Sequence, residues 1–191
     1  MVNGIILYNQ LLTLQWEEGK IMEVFKVGLK SQVKNGGGII WCALMGLISP
    51  YILSMIKHVD VNSVRWIGGV VFLVVSLPAF VIHINYYIVS HGDIFQYFYQ
   101  ERRITYIHKG KSITFGLDDI DYIKRYMSFN QAANRSFITP WEGYNHSYIY
   151  LKDGRILTVT SLLVPNLRLP IEDDKIVIKT GFLWLARTYN N

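Results

Sequence analysis

Two long uncharged runs dominate the hydrophobic pattern of the chain. The first covers residues 39–56 and the second residues 66–89, and neither contains an acidic residue, a lysine or an arginine. As α-helices they would be about 27 and 36 Å long, which suits a bilayer hydrocarbon core of roughly 30 Å. Because only residues 57–65 separate them, the pattern predicts a transmembrane helical hairpin over residues 39–90, with both chain termini on one side.

The residues before the hairpin, 1–38, predict a strand followed by an amphipathic juxtamembrane helix. Apolar and polar side chains alternate over residues 11–16, and we expect this strand to pair with the sheet of a C-terminal domain. Between residues 21 and 34 apolar side chains recur at helical spacing. A run of three glycines at residues 36–38 should then end the helix and let the chain turn into the bilayer.

One face of this predicted helix carries Lys26, Lys30 and Lys34 at intervals of four residues. Such a stripe can lie on the inner leaflet, where each lysine gains about 1 kcal/mol from anionic headgroups. The alternative is a helix that packs on the domain and turns its lysines to solvent. The pattern leaves both interpretations open.

The remaining residues, 91–191, are rich in predicted strands. The clearest signal is Asp153-Gly154, a tight-turn dipeptide that separates strand-like residues 148–152 from residues 155–160. Lys109-Gly110-Lys111 predicts another tight turn. Further strand-like segments cover residues 94–99, 103–108, 112–115 and 117–126. Several short strands without long helical periodicity indicate a small antiparallel sandwich or barrel.

Composition and charge narrow the class of protein. The chain is 51% apolar, with a mean hydropathy of +0.21 and a net charge of +5. From His91 onward there are 13 basic and 10 acidic residues, a balance that does not predict a nucleic-acid partner. Since Cys42 is the only cysteine, no intrachain disulfide can form.

Basic residues flanking the runs predict the orientation of the hairpin. Seven flank the outer ends and two lie in the connecting turn, which places both termini in the cytoplasm. We therefore expect a multi-pass protein of the inner (plasma) membrane. The seven are Lys20, Lys26, Lys30, Lys34, Arg102, Arg103 and Lys109, and the two are Lys57 and Arg65.

The order of these elements resembles a known family. The predicted hairpin is followed by an acidic step at residues 118–120, by Tyr122-Ile123-Lys124, and by the sequence YIYLKDGRILTVTSLL at residues 148–163. This resembles the bacterial pleckstrin-homology-like (PH-like) membrane proteins, in which two spans precede or interrupt a PH-like domain. The resemblance implies that residues 91–191 form a PH-like antiparallel β-sandwich or barrel on the cytoplasmic side.

The end of the chain departs from this family pattern. A PH-like fold should close with a long amphipathic helix, but residues 175–185 contain the strand-like Ile176-Val177-Ile178 and a central Gly181. We therefore expect a short C-terminal helix, which Ser161 can cap and which would run through Leu167. Whether the last element is a helix or a strand stays open.

The sequence contains no motif of a known catalytic site. It has no Gly-rich phosphate loop with its lysine, no nucleophile elbow and no pair of histidines at zinc-ligand spacing. The acidic residues cluster at predicted turns, where they are usually solvated. We therefore expect no enzymatic activity, no cofactor and no metal site.

Two groups of residues are candidates for ligand or partner binding. The irregular stretch 128–147 contains Arg135, Trp141, Tyr144 and His146, side chains that are common at interfaces, although its aromatic residues can instead cover an open end of the barrel. The second group is basic and lies near the hairpin position that PH-like domains use for anionic headgroups. Resemblance implies only the place, and lysines there can simply face an acidic bilayer. This group comprises Lys109, Lys111, Lys124 and Arg125.

These observations favour a membrane-anchored, non-enzymatic PH-like module for binding or scaffolding. Expected partners are membrane lipid, an unidentified protein and a second copy of the chain, but not nucleic acid. The alternative is a two-span membrane effector whose β-barrel senses a small ligand such as a nucleotide. An enclosed barrel cavity lined by aromatic and basic residues would favour the effector, and a filled core would favour the module. A lipid-modifying enzyme would need carboxylates or histidines that converge at the membrane surface.

Overall fold

A computed structural model describes residues 22–58, 60–137, 139–182 and 184–189. The strand predicted for residues 11–16 lies outside the described residues. In chain order, the α-helices and strands are β1 (Met22–Lys26), α1 (Leu29–Lys57), α2 (Val61–Ser90), β2 (Ile94–Phe98), β3 (Arg103–His108), β4 (Lys111–Gly116), β5 (Ile120–Met127), α3 (Phe129–Ala132), β6 (His146–Leu151), β7 (Ile156–Thr160) and β8 (Ile176–Thr180). Two short 3-10 helices cover Leu117–Asp119 and Asp173–Lys175. The predicted combination of two long apolar helices and a small β-rich domain is confirmed.

The two long helices, α1 and α2, pack against each other along the hairpin. Glycines bring them close together, since a Cβ atom at Gly46 would lie 2.9 Å from the Phe72 side chain. Both helices are long and apolar enough to cross a membrane. Large apolar side chains along both remain exposed, including Trp41, Leu47 and Trp66.

The predicted juxtamembrane helix is wrong at its N-terminal end, because Met22–Lys26 forms strand β1. In this strand Glu23 and Phe25 are half-buried, whereas Met22, Val24 and Lys26 are exposed. Val24 is apolar but faces outward, so the strand does not show the alternation of polar and apolar residues that would identify it. Its apolar positions therefore mimic helical spacing.

The predicted helix break at residues 36–38 is also absent, because α1 runs through these glycines without interruption. Each glycine inside a helix costs about 1 kcal/mol relative to alanine, but here the missing side chains permit close packing. A Cβ atom at Gly38 would lie 3.0 Å from Cβ of Pro140, a tight contact, whereas one at Gly36 would lie 3.5 Å from the His83 ring, an ordinary contact distance. Gly38 thus brings α1 close to the β domain.

The strands form two sheets of four. One has the order β1-β2-β3-β4 and is antiparallel throughout. The other has the order β7-β6-β5-β8, in which β8 lies parallel to β5. Because β1 precedes the helical hairpin and pairs with β2, which follows it, the hairpin is an insertion between two adjacent strands of one sheet.

Apolar side chains from both sheets fill the space between them. Phe95 and Ile104 come from the first sheet, and Ile123, Ile149 and Val159 come from the second. Each of these side chains is at most 2% exposed. The interior of the β domain is therefore a packed core.

The end of the domain differs from the expected short C-terminal helix. Residues 161–166 form turns, and the last described element is strand β8. A surface helix needs a polar face, but Ser161 and the following residues Leu162, Leu163 and Val164 are all buried. The β-branched residues at positions 176–178 suit a strand instead.

A second buried cluster joins the C-terminal part of α2 to the β domain. From the helix it contains Ile82 and Tyr86, and from the domain Tyr144, Leu162 and Ala186. The helical hairpin is thus held to the domain by buried contacts as well as by the chain connections.

Candidate functional site

A large cavity lies where the start of the helical hairpin meets the β domain. Its volume is about 780 Å³, within the usual range for a small-molecule site. Its walls come from helix α1, strands β5 and β8, residues 131–143 and residues 165–168. Segments that are far apart in the sequence therefore form one site.

One face of α1 builds the wall nearest to the hairpin. Lys34, Asn35, Gly38, Trp41 and Cys42 line the cavity, at spacings that place them on the same side of a helix. At 1.5 Å per residue, this wall extends about 12 Å along the helix axis. It begins at a lysine and ends in the uncharged run, so the cavity passes from a charged to an apolar environment.

Four basic residues line the cavity: Lys34, Arg125, Arg135 and Arg168. No acidic residue lines it within the part of the chain that the structure describes. None of the four forms an ion pair with a described residue. The cavity therefore concentrates positive charge that a bound anion would neutralise.

Arg125 is the most enclosed of the four basic residues. Its Nη2 donates a hydrogen bond to the carbonyl of Leu167. Burial lowers the pKa of the Arg125 guanidinium, and the positive charge of Arg168 lowers it further. Two guanidinium groups are thus close enough to repel each other, and an anion between them would remove that repulsion.

Three buried polar atoms belong to residues that line the cavity: Nε of Arg125, Oε1 of Gln131 and Oγ1 of Thr139. None of them has a hydrogen-bond partner among the described residues. Leaving a buried polar atom unpaired costs about 1–3 kcal/mol.

The irregular stretch predicted to carry a contact site is held in place by Glu142. Its carboxylate accepts hydrogen bonds from Nδ2 of Asn130 at 2.7 Å and from the backbone N–H of Thr139 at 3.0 Å. Its carbonyl accepts one from the hydroxyl of Ser128 at 3.1 Å. These bonds fix both ends of the segment that brings Arg135 to the cavity.

The structure separates the predicted site residues. Lys34, Arg125 and Arg135 all line the large cavity. They come from three separate predicted groups: Lys34 from the lysine stripe, Arg125 from the basic group and Arg135 from the irregular stretch. Lys109 and Lys111 line another, smaller cavity of about 260 Å³, beside Tyr106 and His108.

The other predicted basic residues lie outside both cavities. The ammonium group of Lys124 lies 5.5 Å from the ring centre of Tyr126. Lys26 is exposed on β1, and Lys30 is exposed in the first turn of α1. The predicted basic group near the hairpin therefore does not form one continuous site.

Two residues predicted for the contact site, Tyr144 and His146, are buried against α2, at 4% and 1% exposure. The hydroxyl of Tyr144 lies 2.8 Å from Nδ1 of His83. Trp141 is half-buried, and its ring packs edge-on against Phe182 with the ring centres 5.2 Å apart. These residues cover the junction between the domain and the hairpin, whereas the alternative interpretation of the loop aromatics had placed them over an open end of the barrel.

Sequence reasoning did not identify Arg168, Gln131 or Thr139 as candidate site residues. Arg168 carried a weak signal, since it is a charged, exposed residue between the more buried Leu167 and Leu169. Gln131 and Thr139 carried none, because isolated polar residues in an irregular stretch usually face solvent.

Comparison with known proteins covers most of the chain. Residues 24–170 match a family model described as a PH domain. The match begins within β1, spans both long helices and ends before β8. No curated protein and no solved structure matches the chain significantly.

Proposed function

Because the chain belongs to the PH domain family, we propose that it is a membrane-anchored, non-enzymatic binding or scaffolding module whose basic cavity binds an anionic group. PH domains commonly bind lipids or proteins and are generally non-catalytic. The observation that carries the proposal is the cavity with four basic side chains and, among the described residues, no acidic partner for them.

Membrane anchoring is supported by the exposed surface of the two long helices. In the most apolar 18-residue stretch of each helix, only 6% of the residues of α1 and 24% of those of α2 are buried. The core helix of a soluble protein would be mostly buried, since large exposed apolar surfaces are rare on soluble monomers. A bilayer around the hairpin would cover this surface.

The packing of the helices suggests which residues lie in the bilayer. Asn35 donates a hydrogen bond to the carbonyl of Ser161 at 3.3 Å, and residues 82–90 of α2 pack on the domain. Excluding these segments leaves residues 39–57 and 61–81 for the spans, with Lys57 and Arg65 near their outer ends, where long basic side chains reach the membrane interface. Their lengths are about 29 and 32 Å, close to the thickness of the hydrocarbon core.

The distribution of basic residues supports an orientation with the domain and both termini in the cytoplasm. Lys26, Lys30 and Lys34 precede the first span, and Arg102 and Arg103 follow the second. The cytoplasmic leaflet carries anionic lipids that attract such residues. In this orientation the basic cavity lies at the surface of the inner (plasma) membrane.

The packed interior of the β domain favours a binding module over the alternative of a nucleotide-sensing barrel. The effector hypothesis requires an enclosed cavity inside the barrel, whereas apolar side chains such as Phe95 and Ile149 fill the space between the sheets. The large cavity lies outside this core, between the domain and α1.

Thermal unfolding of the detergent-solubilised chain tests the proposal. The wild type would be heated with phosphatidylglycerol, with phosphatidylcholine and with a panel of nucleotides. A ligand at a hundredfold excess over its dissociation constant stabilises the folded state by about 2.7 kcal/mol. We expect phosphatidylglycerol to raise the melting temperature and phosphatidylcholine to leave it unchanged.

Two double variants locate the effect. Arg125→Gln with Arg168→Gln removes two charges from the large cavity, and Lys109→Gln with Lys111→Gln removes two charges from the smaller one. Only the arginine variant should lose the stabilisation. The absence of stabilisation by any anionic lipid, or its loss in the lysine variant alone, would overturn the proposed site. Stabilisation by nucleotides alone would favour the effector.

A further inference from the structure

We propose that residues 184–189 are an exchange segment, which binds a groove on its own chain in this structure and the same groove on a second copy when two chains associate. The groove consists of Asn85 and Tyr86 from α2, Tyr148 from β6 and Thr158 from β7. None of these four residues lines the large cavity. The groove is therefore an interaction surface separate from the proposed anion site.

The groove holds the exchange segment through its backbone. The side-chain amide of Asn85 donates to the carbonyl of Ala186 at 3.2 Å and accepts from its N–H at 2.8 Å. The N–H of Arg187 donates to the hydroxyl of Tyr148 at 3.0 Å, and its carbonyl accepts from the hydroxyl of Thr158 at 2.7 Å. Every backbone hydrogen-bonding group of Ala186 and Arg187 is thus paired with a side chain of the groove. Such bonding does not depend on which chain supplies the segment.

A small side chain allows the exchange segment to enter the groove. Ala186 is 3% exposed and belongs to the buried cluster that contains Ile82 and Tyr86, whereas the adjacent Leu185 is 50% exposed. A large side chain should therefore be excluded at position 186 and tolerated at position 185. A second copy is the partner that this groove fits, because it presents the same small residue on the same backbone.

The exchange segment can leave its own chain without disrupting the packed core. No described residue after Ile171 belongs to the core between the two sheets. The family match ends at residue 170, before β8 and the segment. Among the described strands β8 pairs with β5 alone, and four of its five residues are exposed. Strand β8 and the exchange segment are thus peripheral additions to the domain.

The connection between the core and the exchange segment is long enough to reach a second chain. Residues 168–183 join the buried Leu167 to the segment. If β8 is released with the segment, these 16 residues can span up to about 50 Å. Because the bonds made in the second copy are the same as those given up in the first, exchange is a low-cost route to a closed dimer. Membrane anchoring, the one step here that rests on the proposed function, would hold both domains on one side and raise their local concentration.

A synthetic peptide of residues 182–191 tests whether the groove accepts the segment from outside its own chain. In the full chain with Ala186→Trp the segment no longer fits, which leaves the groove open. Leu185→Trp is the matched control, because position 185 is exposed and the segment should stay bound. Labelled peptide would be titrated into both variants in detergent.

We expect the peptide to bind Ala186→Trp at least about tenfold more tightly than Leu185→Trp, since an occupied groove is open for only a fraction of the time. Equal binding to the two variants would overturn the inference. So would the absence of binding to an Ala186→Trp chain that still unfolds cooperatively.

Photo-cross-linking of the otherwise unchanged chain identifies which copy supplies the segment and does not depend on the folding of the tryptophan variants. The ring of Tyr189 packs edge-on against that of Tyr148, with the ring centres 5.2 Å apart. The full chain with p-benzoylphenylalanine at position 189 would be mixed with isotopically labelled wild-type chain in detergent, irradiated, digested and analysed by mass spectrometry. We expect cross-links from position 189 to Tyr148-containing peptides of both the same copy and the labelled copy. Cross-links within one copy alone, at every protein concentration, would overturn the exchange.

The two proposals fail separately, because neither of these experiments contains an anionic ligand. A negative result here leaves the proposed anion site in place. Loss of the anion site in the lipid experiments would leave the exchange segment in place.

Discussion

The hydroxyl of Tyr86 lies 2.9 Å from Nδ1 of His146, and this contact joins helix α2 to strand β6. The same hydroxyl donates to the carbonyl of Trp184 at 3.1 Å. Because a carbonyl can only accept, the Tyr86 proton is used there, and Nδ1–H of His146 must donate to the Tyr86 oxygen. Tyr86 and His146 are 0% and 1% exposed. The hairpin and the domain are thus joined by a buried hydrogen bond between these two side chains.

Replacing Tyr86 by phenylalanine should destabilise the protein by about 1–3 kcal/mol. The change removes the hydroxyl, so the buried Nδ1–H of His146 and the half-buried carbonyl of Trp184 both lose this partner. Tyr87→Phe is the matched control, because the neighbouring Tyr87 is only half-buried. Thermal unfolding in detergent should show a lower melting temperature for Tyr86→Phe than for Tyr87→Phe. Equal melting temperatures would contradict the role assigned to this contact.

Acid should destabilise the protein through His146. Burial lowers the pKa of this imidazole from 6.5 to about 4 in the folded state. Between these two values the unfolded chain binds a proton at His146 that the folded chain does not, so the free energy of unfolding decreases as the pH falls from 6.5 to 4. The contribution amounts to about 3 kcal/mol over this range.

His146→Asn isolates this effect from those of other titrating groups. The asparagine amide can supply an N–H donor toward Tyr86 but does not titrate. Melting temperatures measured from pH 4 to 7.5 should fall more steeply at the acidic end for the wild type than for the variant. Parallel pH profiles would show that His146 is not the responsible group.

A buried carboxylate, Asp93, stabilises the point where α2 leads into the first sheet. It is 1% exposed and accepts hydrogen bonds from the hydroxyl of Tyr106 at 2.6 Å and from Nδ1 of His108 at 2.7 Å. Asp93→Ala would remove both bonds and should cost about 2–3 kcal/mol. Asp118→Ala, at an exposed position, should cost less than about 0.5 kcal/mol. Similar unfolding free energies for the two variants would refute this assignment.

Helices and strands with a clear pattern in their own residues were predicted correctly from the sequence. Two uncharged runs sufficed for the hairpin, and Asp153-Gly154 between strand-like segments sufficed for β6 and β7. Strand β1 was missed because Val24, an apolar residue, faces outward. The continuous helix through residues 36–38 was missed because glycine can either end a helix or permit close packing within one. Which of the two applies here depends on a contact with a distant residue, Pro140.

The candidate site could be predicted only in part. Lys34, Arg125 and Arg135 were each singled out from local charge or composition, but nothing in the sequence places them together. Their assembly depends on the sheet order and on the position of α1, which are consequences of contacts between distant segments. Arg168 enters the site for the same reason, from a segment without a distinctive pattern.

Close packing of the two long helices predicts opposite effects for two adjacent glycines. A Cβ atom at Gly68 would lie 2.7 Å from the carbonyl oxygen of Gly46 and 2.7 Å from Cγ of Pro50, whereas one at Gly69 would have no atom within 4 Å. Both substitutions to alanine gain about 1 kcal/mol in helix propensity.

Gly69→Ala should therefore stabilise the protein slightly, and Gly68→Ala should destabilise it. The backbone oxygen of Gly46 cannot move away unless the helices separate, and separation would lose packing along the hairpin. Melting temperatures of the two variants in the same detergent measure the difference. Gly68 and Gly69 are adjacent and receive the same substitution, so helix propensity and composition contribute equally to the two variants. A shift of the melting temperature in the same direction for both would show that the two helices do not approach as closely as this geometry requires.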